Sequence, residues 1–331
     1  MEGLITFEGR KSPDRADVTV MQGSAVAADT RVFRKLRVSL TRSCNFGCTY
    51  CARDGKPVID TIETPVDQFV GWIKKIAAHV PIGKIRLTGG EPTLYRGLES
   101  LTRQLFDSTS AELSMTTNGH NLVHMAAPLK AAGLASVNVS LDAIDRDVFK
   151  SMGGRAYESV VAGILRARDI GLQVKLNATL VREMNDSQIL PLLNFARREG
   201  ITLRYLELME MGHLYGTQGH RLVAADAILA IIGQHFVVEP AGRGRSETAE
   251  YFVLPDGYRF GIVGNSSLPF CNDCDRLRLD SSGRIFGCLS KAQGLSLDSS
   301  SEISATLAQA MAFKQPQKFT GSELVMREVG G

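Results

Sequence analysis

At 331 residues the chain is long enough for one large α/β domain with an extension, and a hydrophobic fraction of 44% excludes disorder as the default. A net charge of only +3 argues against coating a nucleic acid, so no nucleic-acid partner is expected. No apolar run approaches the ~20 residues of a membrane-spanning helix, and the opening "MEGLITFEGRKSPDR" lacks the basic stretch and apolar core of a secretory signal, so a cytoplasmic protein without a membrane partner is expected.

In chain order, an N-terminal segment over 1–34 precedes a run of alternating strand-like and helical stretches. The predicted strands are "KLRVSL" (35–40), "KIRLT" (84–88), "AELSMTT" (111–117), "SVNVSL" (136–141), "QVKLNATL" (173–180) and "LRYLEL" (203–208). The clearest predicted helix starts at Thr64, with Pro65 at its first position and Asp67 as a capping acid. Phe69, Ile73, Ile76 and Val80 then recur at helical spacing. Six β–α repeats imply parallel strands with right-handed crossovers, hence an open or closed barrel over 35–220. Beyond it, 221–331 reads as a C-terminal region with a helix at 221–235, a loop "EPAGRGRSETAEY", short strands around 251–263 and a surface loop at 295–304.

Parallel strands buried on both faces normally read as unbroken apolar runs. Here they alternate. Leu36, Val38 and Leu40 oppose Lys35, Arg37 and Ser39; Ile85 and Leu87 oppose Lys84, Arg86 and Thr88; Val174 and Leu176 oppose Gln173, Lys175 and Asn177. Helices outside the barrel take the apolar face, so the polar face lines the lumen. Cations buried there without partners would be prohibitive. Arg37, Lys84, Arg86, Lys175 and Arg204 therefore point to a cavity for a polyanion.

The six cysteines fall into two groups, Cys44, Cys48 and Cys51, then Cys271, Cys274 and Cys288, with none in the 219 residues between. Two groups of three suit metal sites better than disulfides in a chain of this size. The first group, "SCNFGCTYC", is spaced C-x3-C-x2-C, and three thiolates leave one iron of a 4Fe–4S cluster open. With Tyr50 before the last cysteine it closely resembles the radical S-adenosylmethionine superfamily. There the open iron chelates S-adenosylmethionine and an electron releases a 5′-deoxyadenosyl radical. "TGGEP" (88–92) resembles that superfamily's segment gripping the methionyl amino group. The second group is spaced C-x2-C-x13-C with no fourth cysteine or nearby histidine, which fits another open-iron cluster better than a zinc knuckle.

From about residue 35 to the end the chain resembles the GTP 3′,8-cyclases of molybdenum-cofactor biosynthesis, through "LTGGEPTLYR", "MTTNG", "VNVSLD", "VKLN", "LRYLELMEMG", "PFCNDCDRLRL" and the terminal Gly330-Gly331. The resemblance implies an incomplete TIM-type barrel of six β–α units, with a C-terminal extension carrying a second 4Fe–4S cluster. It implies conversion of GTP to (8S)-3′,8-cyclo-7,8-dihydroguanosine 5′-triphosphate, without a side-chain acid or base. Arg37, Lys84, Arg86, Lys175, Arg204, Arg276 and Arg278 match GTP-holding positions. Tyr50, Gly89, Gly90, Glu91, Thr117, Ser140 and Met209 match S-adenosylmethionine contacts, and Gly330 and Gly331 match a tail that reaches the active site. The implied partners are GTP, an electron donor of flavodoxin or ferredoxin type and the downstream enzyme forming cyclic pyranopterin; a homodimer is compatible. Family members commonly read Thr-Asp-Arg-Cys before the first cluster and Cys-Met-Pro after it, where this chain has "TRSC" and "CARDGKP". A related cyclase on another nucleotide therefore stays open, as does a zinc-binding interaction protein.

Overall fold

The computed structural model describes residues 31–217, 219–297 and 302–331. All but the last few positions of the expected 1–34 segment, and part of the expected loop at 295–304, lie outside the described residues. Six β–α units run as expected. Strands β1 (Lys35–Ser39), β2 (Lys84–Thr88), β3 (Glu112–Thr117), β4 (Ser136–Ser140), β5 (Gln173–Leu180) and β6 (Thr202–Glu207) pair in parallel, each with the next. Between them lie helices α1 (Val66–Ala77), α2 (Leu98–Ser108), α3 (Leu122–Ala131), α4 (Arg146–Ser151), α5 (Tyr157–Asp169) and α6 (Ile189–Arg198).

The apolar strand faces meet the helices as the alternation requires. Leu36, Val38, Ile85, Leu87, Val137, Val139 and Leu176 are fully buried, in one core with Phe69, Ile73 and Ile76 of α1. Each such side chain gains about 1.5–3 kcal/mol over exposure. Two details of α1 differ from expectation. Pro65 is the cap residue rather than the first helical one, and Asp67 makes no capping hydrogen bond. The helix start is held instead by Thr64, whose hydroxyl donates to the Ser281 carbonyl and whose own carbonyl accepts from Tyr95 Oη at 2.8 Å. Val80 lies beyond the helix end.

After β6 come α7 (Ala225–Gly233), β7 (Glu239–Gly242), β8 (Glu250–Val253), β9 (Arg259–Val263), β10 (Arg276–Leu279), β11 (Arg284–Phe286), β12 (Leu295–Ser296), α8 (Ile303–Ala312) and α9 (Met326–Val329). The sheet order is β12-β11-β10-β1-β2-β3-β4-β5-β6-β9-β8-β7. Strand β9 is parallel to β6 and β10 is parallel to β1, so the C-terminal region adds a parallel strand to each edge of the barrel. Antiparallel strands finish both ends. The link from β9 to β10 passes from one edge of the sheet to the other, and it carries Cys271 and Cys274. Residues 31–331 cluster as a single unit. No helix among the described residues is long and apolar enough to cross a membrane.

Candidate active site

The first cysteine trio follows β1, at the carboxyl ends of the parallel strands, where barrels place their chemistry. Backbone hydrogen bonds join Cys44 N–H to Val58 O at 2.8 Å and Val58 N–H to Cys44 O at 2.9 Å, while Cys51 N–H donates to Cys48 O at 2.9 Å. The "GGEP" loop lies beside it because Gly90 N–H donates to Thr41 O at 2.7 Å. A side chain at Gly89 is impossible: its φ is +145°, and a Cβ would sit 2.6 Å from the Thr41 carbonyl oxygen.

One cavity of about 320 Å³ joins both trios, within the range of small-molecule sites. All six cysteines line it, together with Tyr50, Gly89, Gly90, Thr117, Ser140, Met209 and Gly331. Arg37, Arg86, Arg204, Arg276 and Arg278 line it as well. All six thiols are free, and among the described residues no three of His, Cys, Asp or Glu converge on one ion. Three thiols per trio are the donor set that would leave one iron of a 4Fe–4S cluster open.

Three of the expected contacts are placed differently. Glu91 is fully buried behind the cavity wall, where its carboxylate accepts from Thr117 Oγ1 at 2.7 Å, Asn118 N–H at 2.6 Å and Thr93 N–H at 3.1 Å. It fastens the glycine loop to the end of β3 instead of facing a ligand. Lys84 and Lys175 do not reach the cavity wall. Lys84 opens β2 and pairs with Glu112 at 2.7 Å, and Lys175 sits half-buried near the start of β5.

The arginines form a row. Strand register sets Arg86 beside Arg37 and Arg37 beside Arg278, with Lys84, Lys35 and Arg276 in the row below. Strands lie about 4.8 Å apart, so like charges directly opposite repel. None of the five cavity arginines is ion-paired among the described residues. Arg86 Nε donates to Ser114 Oγ at 3.3 Å and Arg204 forks onto Asn177 Oδ1 at 3.0 and 2.7 Å, while Arg37 has no side-chain partner among the described residues. Burial, then the neighbouring arginines, holds Arg278 down at about 9 and Arg37 well below the usual guanidinium range. Arg86 falls to about 10 for the same reasons. Unpaired buried cations are costly to the ligand-free fold.

The tail enters the same space. Arg278 donates to Val329 O at 3.0 Å and to Gly330 O, and Thr88 Oγ1 donates to Gly331 O at 3.1 Å. Gly330 has φ +79°, and a Cβ there would meet Thr88 Cγ2 at 2.3 Å, so only glycine fits.

Sequence reasoning left three wall residues without a role. Asp142, which ends the "VNVSLD" motif, accepts from Tyr50 Oη at 2.8 Å and from Thr179 N–H at 2.8 Å, and burial lifts its carboxyl to about 6. Asn177 is the hydrogen-bond partner of Arg204. Lys314 lies against the second trio and carries no sequence signal at all. Within the second trio burial lifts Cys271 to about 11, but Cys274 differs from every thiol of the first. Burial drives Cys44 up to about 11 and Cys48 well above its usual value, with Asp142 adding to the latter. Burial also opposes ionisation of Cys274, but Arg276 and Lys314 outweigh it and hold that thiol at about 7.

Comparison with known proteins gives concordant matches. The Radical SAM superfamily model matches residues 38–196, and the Molybdenum Cofactor Synthesis C model matches residues 201–319. A GTP 3′,8-cyclase of Helicobacter pylori is 38% identical over 264 residues, covering 78% of this chain and 81% of the relative. A GTP 3′,8-cyclase of Staphylococcus aureus (strain JH9) is 36% identical over 269 residues, covering 78% and 79%. Among solved structures, Streptococcus suis SuiB bound to the precursor peptide SuiA superposes with a TM-score of 0.60 at 15% identity, over 78% of this chain. This chain spans only 60% of SuiB, and the likeness is one of fold. By its two family matches and its identity to these relatives over most of its length, the chain belongs to the GTP 3′,8-cyclase family of the radical S-adenosylmethionine superfamily.

Proposed function

We propose that this chain converts GTP to (8S)-3′,8-cyclo-7,8-dihydroguanosine 5′-triphosphate, with S-adenosylmethionine at a 4Fe–4S cluster on Cys44, Cys48 and Cys51. A second 4Fe–4S cluster on Cys271, Cys274 and Cys288 binds the guanine. The observation that carries this reading is the row Arg86–Arg37–Arg278, unpaired by acids among the described residues and lining the same cavity as the two trios. Guanidinium groups meet phosphate oxygens with paired, charge-assisted hydrogen bonds, so a triphosphate fills the vacancy in charge that the fold leaves there.

When bound, the first cluster and S-adenosylmethionine would supply a 5′-deoxyadenosyl radical for hydrogen abstraction from the nucleotide, and one further electron and a proton would complete the dihydro product. The chain's own work is to hold and to shield. Gly89 and Gly90 let the backbone approach S-adenosylmethionine, and Thr117, Ser140, Tyr50 and Met209 line its berth. Arg37, Arg86, Arg204, Arg276 and Arg278 hold the nucleotide, with Lys175 and the paired Lys84 contributing only long-range field. Met209, Met211, Phe319 and Met326 wall the cavity with apolar surface and keep water from the radical. Among the described residues no lumen side-chain carboxylate is free to act as a base, since Asp142 is engaged by Tyr50 and Thr179, and Glu207 by Ser266 and Ser267. An acidic electron carrier of flavodoxin or ferredoxin type and the enzyme forming cyclic pyranopterin complete the set of partners.

The test is anaerobic incubation of reconstituted protein with S-adenosylmethionine, dithionite and each nucleoside triphosphate in turn. Release of 5′-deoxyadenosine with GTP alone, together with the cyclised product, is expected. Equal turnover of another nucleotide would move the assignment to a cyclase of different substrate.

A further inference from the structure

Lys314 follows α8 and is only 7% exposed, although lysines almost never sit so deep unless paired. No carboxylate pairs with it among the described residues. An ammonium has three N–H donors, and all three are used at one place. Nζ donates to Arg276 O at 2.7 Å, to Gly287 O at 2.7 Å and to Cys274 Sγ at 3.1 Å, and the Phe33 ring lies 5.3 Å away on another side. The two carbonyls belong to the start of β10 and the end of β11, the strands that carry the arms of the second trio. One cation therefore staples both arms and points its third N–H at a cysteine sulfur.

An unpaired ammonium in such a place costs several kcal/mol unless an anion neutralises it. The anion that comes within reach is the thiolate formed when Cys274 ligates iron. Resting on the second-cluster reading above, we propose that Lys314 is a positioning residue for that cluster, fixing Cys274 and raising the cluster's reduction potential. Hydrogen bonds to sulfur and nearby positive charge both stabilise the reduced, more negative state of a cluster. Beside the first trio lie Tyr50, Asp142, the buried Glu91 and also Arg327, whose charge and backbone N–H favour the Cys51 thiolate against burial. What sets the second trio apart is a buried lysine whose ammonium donates to a cysteine sulfur.

The experiment uses full-length protein in which Cys44, Cys48 and Cys51 are Ala, so that only the second trio can hold iron. Iron and sulfide content is measured first, and the midpoint potential then follows from an electron-paramagnetic-resonance redox titration. Lys314→Met should lower the reduced-to-oxidised ratio at a fixed potential at least tenfold, about 59 mV for a one-electron couple. Lys314→Arg should restore most of that loss. Where Lys314→Met leaves the strand carbonyls unpaired and fails to assemble, Lys314→Gln decides, because it can still donate but carries no charge. Wild-type potential in an assembled Met or Gln variant overturns the inference while leaving the cluster reading intact. Absence of iron from the parent with wild-type Lys314 overturns the cluster reading, and the inference with it.

Discussion

The two cysteine trios share one cavity and differ in the charges around them. Around Cys44, Cys48 and Cys51 the nearby ionisable groups are Asp142, Glu91, Tyr50 and Arg327, and burial raises all three thiols although Arg327 opposes it at Cys51. Around the second trio they are Arg276, Arg278 and Lys314; burial still lifts Cys271 to about 11, but the cations hold Cys274 down at about 7. On the reading we propose, the first trio serves cleavage of S-adenosylmethionine and the second holds the nucleotide, and the positive charge gathered beside Cys274 would favour the more reduced state of a cluster there.

The sharpest way to break this comparison is to remove each trio in turn. Replacing Cys44, Cys48 and Cys51 by Ala should abolish 5′-deoxyadenosine formation. Replacing Cys271, Cys274 and Cys288 should spare some uncoupled cleavage while ending nucleotide conversion. Chromatography of both products reads the two outcomes, and equal loss of cleavage in both variants would erase the division of roles.

A smaller effect is expected from Gly330→Val. The new side chain collides with Thr88 and shifts the tail that Arg278 holds, and a displacement of that kind near the reacting atoms costs about 10²-fold in conversion. Cleavage of S-adenosylmethionine without GTP should change by no more than a few-fold. Comparable loss of both activities would mean that the tail serves the first trio as well.

The acid beside the first trio gives a pH signature. Asp142 has its carboxyl raised to about 6, so the folded chain favours its neutral form. Its contribution to stability is full below the ordinary carboxylate value near 3.9 and is lost as pH rises through about 6, a difference of about 3 kcal/mol. An infrared carboxyl band fading with a midpoint near 6, and missing from Asp142→Asn, is the expected observation. A midpoint near 4 would show that burial does not raise this carboxyl.

The smallest change is expected at Arg37, where two effects oppose. Arg37→Ala should weaken GTP binding by about 2 kcal/mol, one charge-assisted contact, and leave guanosine binding unchanged. It should also stabilise the ligand-free protein by about 1 kcal/mol, because a buried unpaired cation disappears. Calorimetric titration and urea unfolding read the two signs separately. Weaker guanosine binding would place Arg37 at the base instead of the phosphates.

Periodicity made the barrel legible. The alternation of Leu36, Val38, Ile85 and Leu87 with charged residues gave both the strands and the direction of their faces, and the arginine row follows from register. Strand β10 carried the same signal, since "RLRL" alternates just as "KLRVS" does, but its cysteine context drew attention to ligands instead of strands. Strand β7 offered less, because Pro240 reads as a breaker and is tolerated only at the sheet edge where it lies. Glu91 and Lys314 were opaque for another reason. The partners of Glu91 include Thr117 and Asn118, and those of Lys314 are two carbonyl oxygens and a thiol far away in sequence; no local pattern encodes such closures. Lys84 read as a lumen cation like its neighbours, and only the placement of Glu112 opposite it shows where its charge goes.

The pairing of β1 with β10 bears on how the chain is made. Lys35 finds Arg276 as its register partner, so the outer edge of the first strand waits for a segment translated much later. At about 5–20 residues per second that wait lasts roughly 10–50 s, during which backbone donors and acceptors stand open to any passing strand. Lys35 and Arg37 stand on one face of that edge strand, and charged side chains on an edge strand are a recognised deterrent to wrong pairing. The basic face of the first strand thus protects the newborn barrel while it is still unclosed.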